Sequence, residues 1–199
     1  MKSTITMAAL QRALNHVTGE LSATGLLTRR LYDVPVVLQS FSIVPFLVNY
    51  YGLYVEETTV LDRLVGLEPR TIYVPSIALP RLLVALRGGK SGENYTLRDI
   101  LRHELGHAFA VEHPGLVRRN TAFTRAFGAR YDDELTLDED DCVSAYAATS
   151  PCEDFAETFM TYVRVRGDID RFKRSRAVHR KLGFVKGLVR EVARRGLAA

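Results

Sequence analysis

The chain has 199 residues, 47% of them hydrophobic and 25% charged, with a formal net charge of +4. That composition gives one domain enough apolar material for a sizeable core and excludes a disordered or fibrous chain. Two cysteines, Cys142 and Cys152, make no disulfide framework, and the most apolar run, 34–48, is interrupted by Pro35, Gln39, Ser40, Ser42 and Pro45, so it does not read as a membrane span.

In chain order, residues 4–21 carry apolar side chains at helical spacing (Ile5, Ala9, Leu10, Leu14, Val17, Leu21), with Gly25 just beyond. Residues 31–60 are rich in Val, Leu, Phe and Tyr and punctuated by Pro and Gly, which predicts two or three short strands. Thr71–Val74 reads as another strand, stopped by Pro75. Leu79–Leu86 fits a short helix or a strand equally well, and 88–92 is a glycine-rich loop. That loop resembles a fragment of a phosphate-binding loop, but the full motif needs glycine where Val84 stands.

A helix is predicted from Leu97 to Glu112, with Thr96 as N-cap, Asp99 three residues on, and Pro114-Gly115 as its end. Its apolar positions, Leu97, Ile100, Leu101, Leu105, Ala108 and Phe109, run well round the cylinder, which predicts a central, buried helix. A short helix around 123–127 ends at Gly128. Ser150-Pro151-Cys152-Glu153 is a helix start, with Ser as N-cap, Pro at the first helical position and Glu at the third; that helix runs to about Val165. Residues 169–195 predict one or two basic helices, broken near Gly183 or Gly187.

Charge is unevenly placed. Asp132 to Glu157 holds ten acidic residues and no basic ones, whereas Phe159 to Ala199 holds twelve Lys or Arg against Asp168, Asp170 and Glu191. The plain reading is two solvated surfaces that face each other. The tail lacks interleaved aromatics and any nucleic-acid-binding signature, so a nucleic-acid partner is not favoured. The run Asp132–Asp141 lacks the spacing of a calcium loop; as a solvated loop near the site it would favour basic substrates.

His103-Glu104-Leu105-Gly106-His107 is an HExxH motif. On a helix, His103 and His107 stand one turn apart on one face, a spacing at which two imidazoles bind one tetrahedral Zn²⁺. Glu104 beside them is placed to take a proton from a water activated by the metal. The motif arises by chance in a chain of this length with a probability on the order of one per cent. The plain alternative is a helix with two ordinary histidines. Against it, polar groups on so apolar a helix need partners, and Gly106 gives up helix propensity in a way that suggests close packing.

A catalytic zinc site usually takes a third protein ligand. His113 lies six residues after His107, at metzincin spacing, but Ala110 replaces the glycine that lets that chain turn. A helix-terminal histidine interacting with the last carbonyls is the plainer reading of His113. Glu153 and Glu157 are i and i+4 on one helix, able to supply one ligand and one acceptor for a ligand histidine's N–H. A capping carboxylate and a solvated residue are their plain alternatives, and spacing alone decides neither.

His103-Glu104-Leu105-Gly106-His107, then Phe127-Gly128 and Tyr131-Asp132, then Cys142-Val143-Ser144-Ala145-Tyr146-Ala147, then Pro151-Cys152-Glu153-Asp154-Phe155-Ala156-Glu157, resembles bacterial zinc-binding metallopeptidases of the gluzincin type. It is also similar to the catalytic domain of lethal-factor-like zincins. The resemblance covers roughly residues 95–165. It implies Glu153 as third zinc ligand, Glu157 as support for a ligand histidine, and Tyr146 as hydrogen-bond donor to the tetrahedral oxyanion. Without the resemblance, Tyr146 reads as a packed aromatic with its hydroxyl at the surface. The N-terminal half departs from that family.

The expected fold is α+β and zincin-like, one domain over 1–199: helix and sheet in 1–95, zinc-site helices in 96–165, and a basic helical tail in 166–199. A small mixed sheet packs on the active-site helix, and the Glu153 helix returns across the cleft. Thr71–Val74 is the candidate sheet edge for holding an extended peptide. The expected function is a zinc metalloendopeptidase with one Zn²⁺ per chain on His103, His107 and Glu153. Glu104 serves as general base, Tyr146 assists, and the substrate is a peptide or protein. No membrane partner is expected. With no signal peptide after Met1, a cytoplasmic location is expected. Two other classes stay open: a non-catalytic zinc-containing binding module, which would not need a base at Glu104, and a nucleic-acid-associated protein using the basic tail.

Overall fold

The computed structural model describes residues 4–39, 52–64, 66–76 and 95–199. The expectations for Leu79–Leu86 and the loop 88–92 lie outside the described residues, as does part of the strand-rich segment. The architecture is α+β, with a small mixed sheet and a set of packed helices.

Helix α1 (Met7–Thr24) starts where the Thr6 hydroxyl accepts the Ala9 N–H. It ends at Gly25, whose φ of +75° is a left-handed conformation that glycine adopts without strain. Leu10, Ala13, Val17 and Leu21 face the core. Two short helices, α2 (Arg29–Tyr32) and α3 (Val60–Leu64), fall at the margins of the segment whose composition predicted strands. Between them lie strands β1 (Val36–Gln39) and β2 (Leu53–Val55).

Strand β3 (Thr71–Pro75) sits between them in the order β1-β3-β2, parallel to β1 with Val36 opposite Ile72 and antiparallel to β2 with Leu53 opposite Tyr73. This corrects the reading of Thr71–Val74 as a free edge. Both of its ladders are taken, so no peptide can add to it. The sequence carried the signal: Thr71, Ile72, Tyr73 and Val74 are all buried, and a run without polar alternation marks a strand covered on both faces.

Helix α4 (Leu97–Glu112) is the predicted central helix. Thr96 and Asp99 form a reciprocal capping box at its start, and the residues from Asp99 to Gly106 are buried without interruption. It packs against helix α6 (Pro151–Arg164), α1, α2 and β2. At the α4–α6 crossing, a Cβ on Gly106 would stand 3.1 Å from the Ala156 Cα and 3.3 Å from the Phe159 Cβ, so a larger residue would push the two helices apart by a few tenths of an ångström. Arg102 ties α1 to α4 by forking onto Glu20 at 2.9 and 2.9 Å while bonding Asp99 at 2.7 Å. Helix α5 (Thr121–Phe127) adds Phe123 and Phe127, which pack with Phe155 and Phe184 into an aromatic core.

Helix α7 (Arg176–Arg194) runs unbroken through Gly183 and Gly187, contrary to the expected break. Each glycine costs about 1 kcal/mol relative to alanine. Burial of Val178, Leu182, Val185, Leu188 and Val192 outweighs that, at about 1.5–3 kcal/mol for each fully buried side chain. Several cations of the basic tail make internal contacts. Arg180 donates to the Ala126 carbonyl at 2.9 Å, buried Lys181 meets Asp154 at 2.7 Å, and Arg194 and Arg195 bond Glu191 at 2.7 and 3.2 Å. Among the described residues, no helix is long and apolar enough to cross a membrane.

Candidate metal centre

Helices α4 and α6, packed on each other, contribute one side of a cleft of about 670 Å³ whose lining includes His103, Glu104, His107, Tyr131, Tyr146 and Glu153. The α-helical repeat puts His103 and His107 on one face of α4. On α6, Ser150 caps the start, so Glu153 and Glu157 both project toward that face. The close Gly106–Ala156 contact brings the two faces within reach of each other.

Three donor atoms converge. His103 Nε2 and His107 Nε2 are 3.1 Å apart, and Glu153 Oε2 lies 3.1 Å from the first and 3.4 Å from the second. Metal–ligand bonds of about 2.0–2.1 Å in a tetrahedron imply ligand–ligand edges of about 3.3 Å. The donor set therefore fits a zinc ion in both chemistry and spacing. Among the described residues, the buried Oε2 of Glu153 and the buried Oδ2 of Asp154 both lack a well-aimed hydrogen bond, but Asp154 has the Lys181 ammonium at 2.7 Å whereas Glu153 has only the two imidazoles, and a buried carboxylate oxygen is costly unless a cation meets it. Among the described residues, these three are the one group able to hold a metal ion.

Each histidine is held from behind. His103 Nδ1 meets Glu157 Oε1 at 2.7 Å, and Glu157 Oε2 accepts from the Tyr95 hydroxyl at 2.8 Å and the Ser144 hydroxyl at 2.9 Å. His107 Nδ1 lies 3.1 Å from the Tyr131 hydroxyl. Burial alone would lower the His103 pKa. Its bonds to Glu153 and Glu157 and the charge of Glu104 overcome this and push it up to about 10. Burial would likewise raise Glu153, but the two histidines hold it below the usual carboxylate range. The two shifts express one attraction, between the imidazoles and this carboxylate.

Glu104 is buried beside the two histidines, and burial pushes its pKa up, opposed by the charges of His103 and His107. The backbone N–H of Tyr54 in β2 donates to its carboxylate. Gly52, just before β2, makes this approach possible: a Cβ there would stand 2.8 Å from Glu104 Oε1 and 2.7 Å from Ile100 Cγ2. The Tyr146 ring centroid lies 5.7 Å from that of His103. Its hydroxyl bonds Glu153, and burial followed by the charges of Glu153 and Glu104 raises its pKa. Tyr146 is 40% exposed and lines the cleft with His103, His107 and Glu153.

His113 stands apart. Its Nε2 bonds the buried Thr28 hydroxyl at 2.8 Å, and its ring packs 5.0 Å from that of Phe109. Helix α4 continues straight through Ala110 to Glu112, which carries His113 away from the cleft. The acidic run divides. Asp132, Asp133 and Glu134 line the cleft, whereas Glu139–Asp141 form a turn whose Asp141 carbonyl accepts from Lys181 at 2.7 Å. Cys142 and Cys152 are free thiols.

Sequence reasoning missed Gly52, the Tyr54 amide, Ser144, Tyr95 and the role of Tyr131. An isolated glycine in a strand-rich segment was the available signal for Gly52, since it marks a close backbone approach. Tyr131 lay within a recognised segment, but nothing local tied it to His107.

A family model described as "Putative zinc-binding metallo-peptidase" matches residues 89–186, just under half of the chain. The match runs through the HExxH helix and the Glu153 helix, and it supports a metallopeptidase family for this chain. No curated protein and no solved structure matches the chain.

Proposed function

We propose that this protein is a zinc-dependent peptidase of the gluzincin type, with His103, His107 and Glu153 as the metal ligands. The observation that carries this reading is the triangle of His103 Nε2, His107 Nε2 and Glu153 Oε2, with edges of 3.1, 3.1 and 3.4 Å. When bound, zinc supplies Lewis acidity, polarising a peptide carbonyl and making a water nucleophilic at neutral pH.

The chain's own residues do the rest. Glu104 accepts the proton of the attacking water and delivers it to the leaving amine. Burial raises its pKa toward the range where a carboxylate both takes and gives a proton. The Tyr54 amide fixes the carboxylate's orientation. The Tyr146 hydroxyl, beside Glu153, donates a hydrogen bond to the developing oxyanion. Glu157 holds His103 in the tautomer that turns Nε2 inward. The peptide lies in the cleft between β2 and the segment 131–136.

The test separates base from ligand. Glu104→Gln is expected to lower peptide turnover by about 10²–10⁴-fold while bound zinc stays at the wild-type level. A Glu104→Gln enzyme with wild-type turnover would rule out this mechanism.

A further inference from the structure

The two imidazoles are backed by different chemistry. Glu157 is a carboxylate, which only accepts, so at 2.7 Å it fixes a hydrogen on His103 Nδ1. The partner of His107 Nδ1, at 3.1 Å, is the neutral phenol of Tyr131. The two Nε2 atoms, 3.1 Å apart, cannot both carry hydrogen toward each other. For His107 Nε2 to present a lone pair inward, its hydrogen must sit on Nδ1, where the Tyr131 oxygen is the acceptor in place.

That oxygen is held firmly. The Tyr131 ring is buried, 5.8 Å from the Phe123 ring and 5.9 Å from the Phe155 ring. The Arg118 guanidinium lies 5.7 Å from its centroid and is itself fixed by Glu56 and by Asp132 at 2.8 Å. The hydroxyl is therefore pre-set by packing on one side and a clamped cation on the other.

We propose that Tyr131 is a positioning residue for the metal: its hydroxyl accepts the His107 Nδ1–H, holds Nε2 turned toward His103 and Glu153, and thereby sets the zinc affinity of the site. This rests on the zinc-site reading above. It assigns to an uncharged hydroxyl, for one ligand, the part that the Glu157 carboxylate plays for the other.

The experiment is a zinc titration against a chromophoric chelator with wild type, Tyr131→Phe and Tyr162→Phe. Tyr162 is a buried tyrosine on α6 outside the site and serves as the control. Tyr131→Phe removes one oxygen and keeps the packed ring, so the zinc-free Tm should stay close to wild type. The zinc Kd of Tyr131→Phe is expected to weaken by about 10–100-fold, with Tyr162→Phe unchanged. The cobalt-substituted protein should show shifted d–d bands in Tyr131→Phe, which lost packing alone would not produce. As a check that needs no variant, the His107 Nδ1 proton of the zinc-loaded wild type should exchange slowly with solvent. Wild-type zinc affinity and cobalt spectrum in Tyr131→Phe, or fast exchange of that proton, would overturn the proposal alone. A wild-type chain that binds no zinc would overturn it together with the peptidase reading.

Discussion

Neighbouring residues of α6 carry carboxylates that meet opposite fates. Asp154 points beneath α7 and finds Lys181 Nζ at 2.7 Å, a cation the chain supplies itself. Glu153, one residue earlier and about 100° round the helix, points at α4. There its buried Oε2 meets two imidazole nitrogens, at 3.1 and 3.4 Å, where Asp154 meets an ammonium. A carboxylate oxygen taken out of water needs a counter-charge. At Asp154 the chain supplies its own cation and joins two helices, whereas at Glu153 it supplies two imidazoles, which under the proposed function would share an exchangeable metal ion with that carboxylate.

Breaking the tethered pair should show that the two ends of the comparison are separable. Lys181→Met leaves Asp154 buried with no counter-charge. It is expected to cost about 3–5 kcal/mol of stability in denaturant unfolding, while the folded fraction still binds zinc at the wild-type ratio. Loss of zinc in the folded variant would mean that the Asp154 side also controls the metal side.

A smaller change sharpens the metal side from the sheet. Gly52→Ala places a methyl group within 2.8 Å of Glu104 Oε1, with no open direction because Ile100 Cγ2 is 2.7 Å away. The base must move. Peptide turnover is expected to fall by about 10²-fold, with zinc affinity nearly unchanged. Equal turnover in both proteins would show that the position of Glu104 does not depend on β2.

The smallest effect concerns His113, which caps the C-terminal end of α4 and stands outside the site. Burial first, then Arg30 and Arg195, with Glu112 opposing, hold its pKa below the imidazole value of 6.5. The folded state thus keeps His113 neutral while the unfolded chain protonates it. Its contribution to stability is present above pH 6.5 and is lost as pH falls below that value toward the folded pKa. Thermal melts across this window should show a shallower acid slope in His113→Gln than in wild type. Zinc content should be unchanged, and a variant that loses its zinc would restore His113 as a ligand.

The parts of the molecule legible in the sequence are those written in local spacing. The i, i+4 repeat placed His103 with His107 and Glu153 with Glu157, the caps at Thr96 and Ser150 marked both helix starts, and Gly106 signalled the tight crossing. What stayed hidden is set by contacts between distant segments. The continuity of α7 depends on a stripe buried against other elements, which outweighs two glycines. The central position of β3 depends on strands far along the chain on either side. The partners of Glu157, Tyr95 and Ser144, come from two loops, and the bond from Tyr131 to His107 spans 24 residues. Periodicity reports which face of an element is apolar, but it does not report which element arrives to cover it.

The most direct measurement is zinc binding by wild type and Glu153→Ala, prepared side by side and titrated with zinc. About one zinc per wild-type chain, sharply reduced in Glu153→Ala with the fold intact, is the expected result. Full zinc in Glu153→Ala, or none in the wild type, would contradict the three-ligand centre on which the proposed chemistry depends.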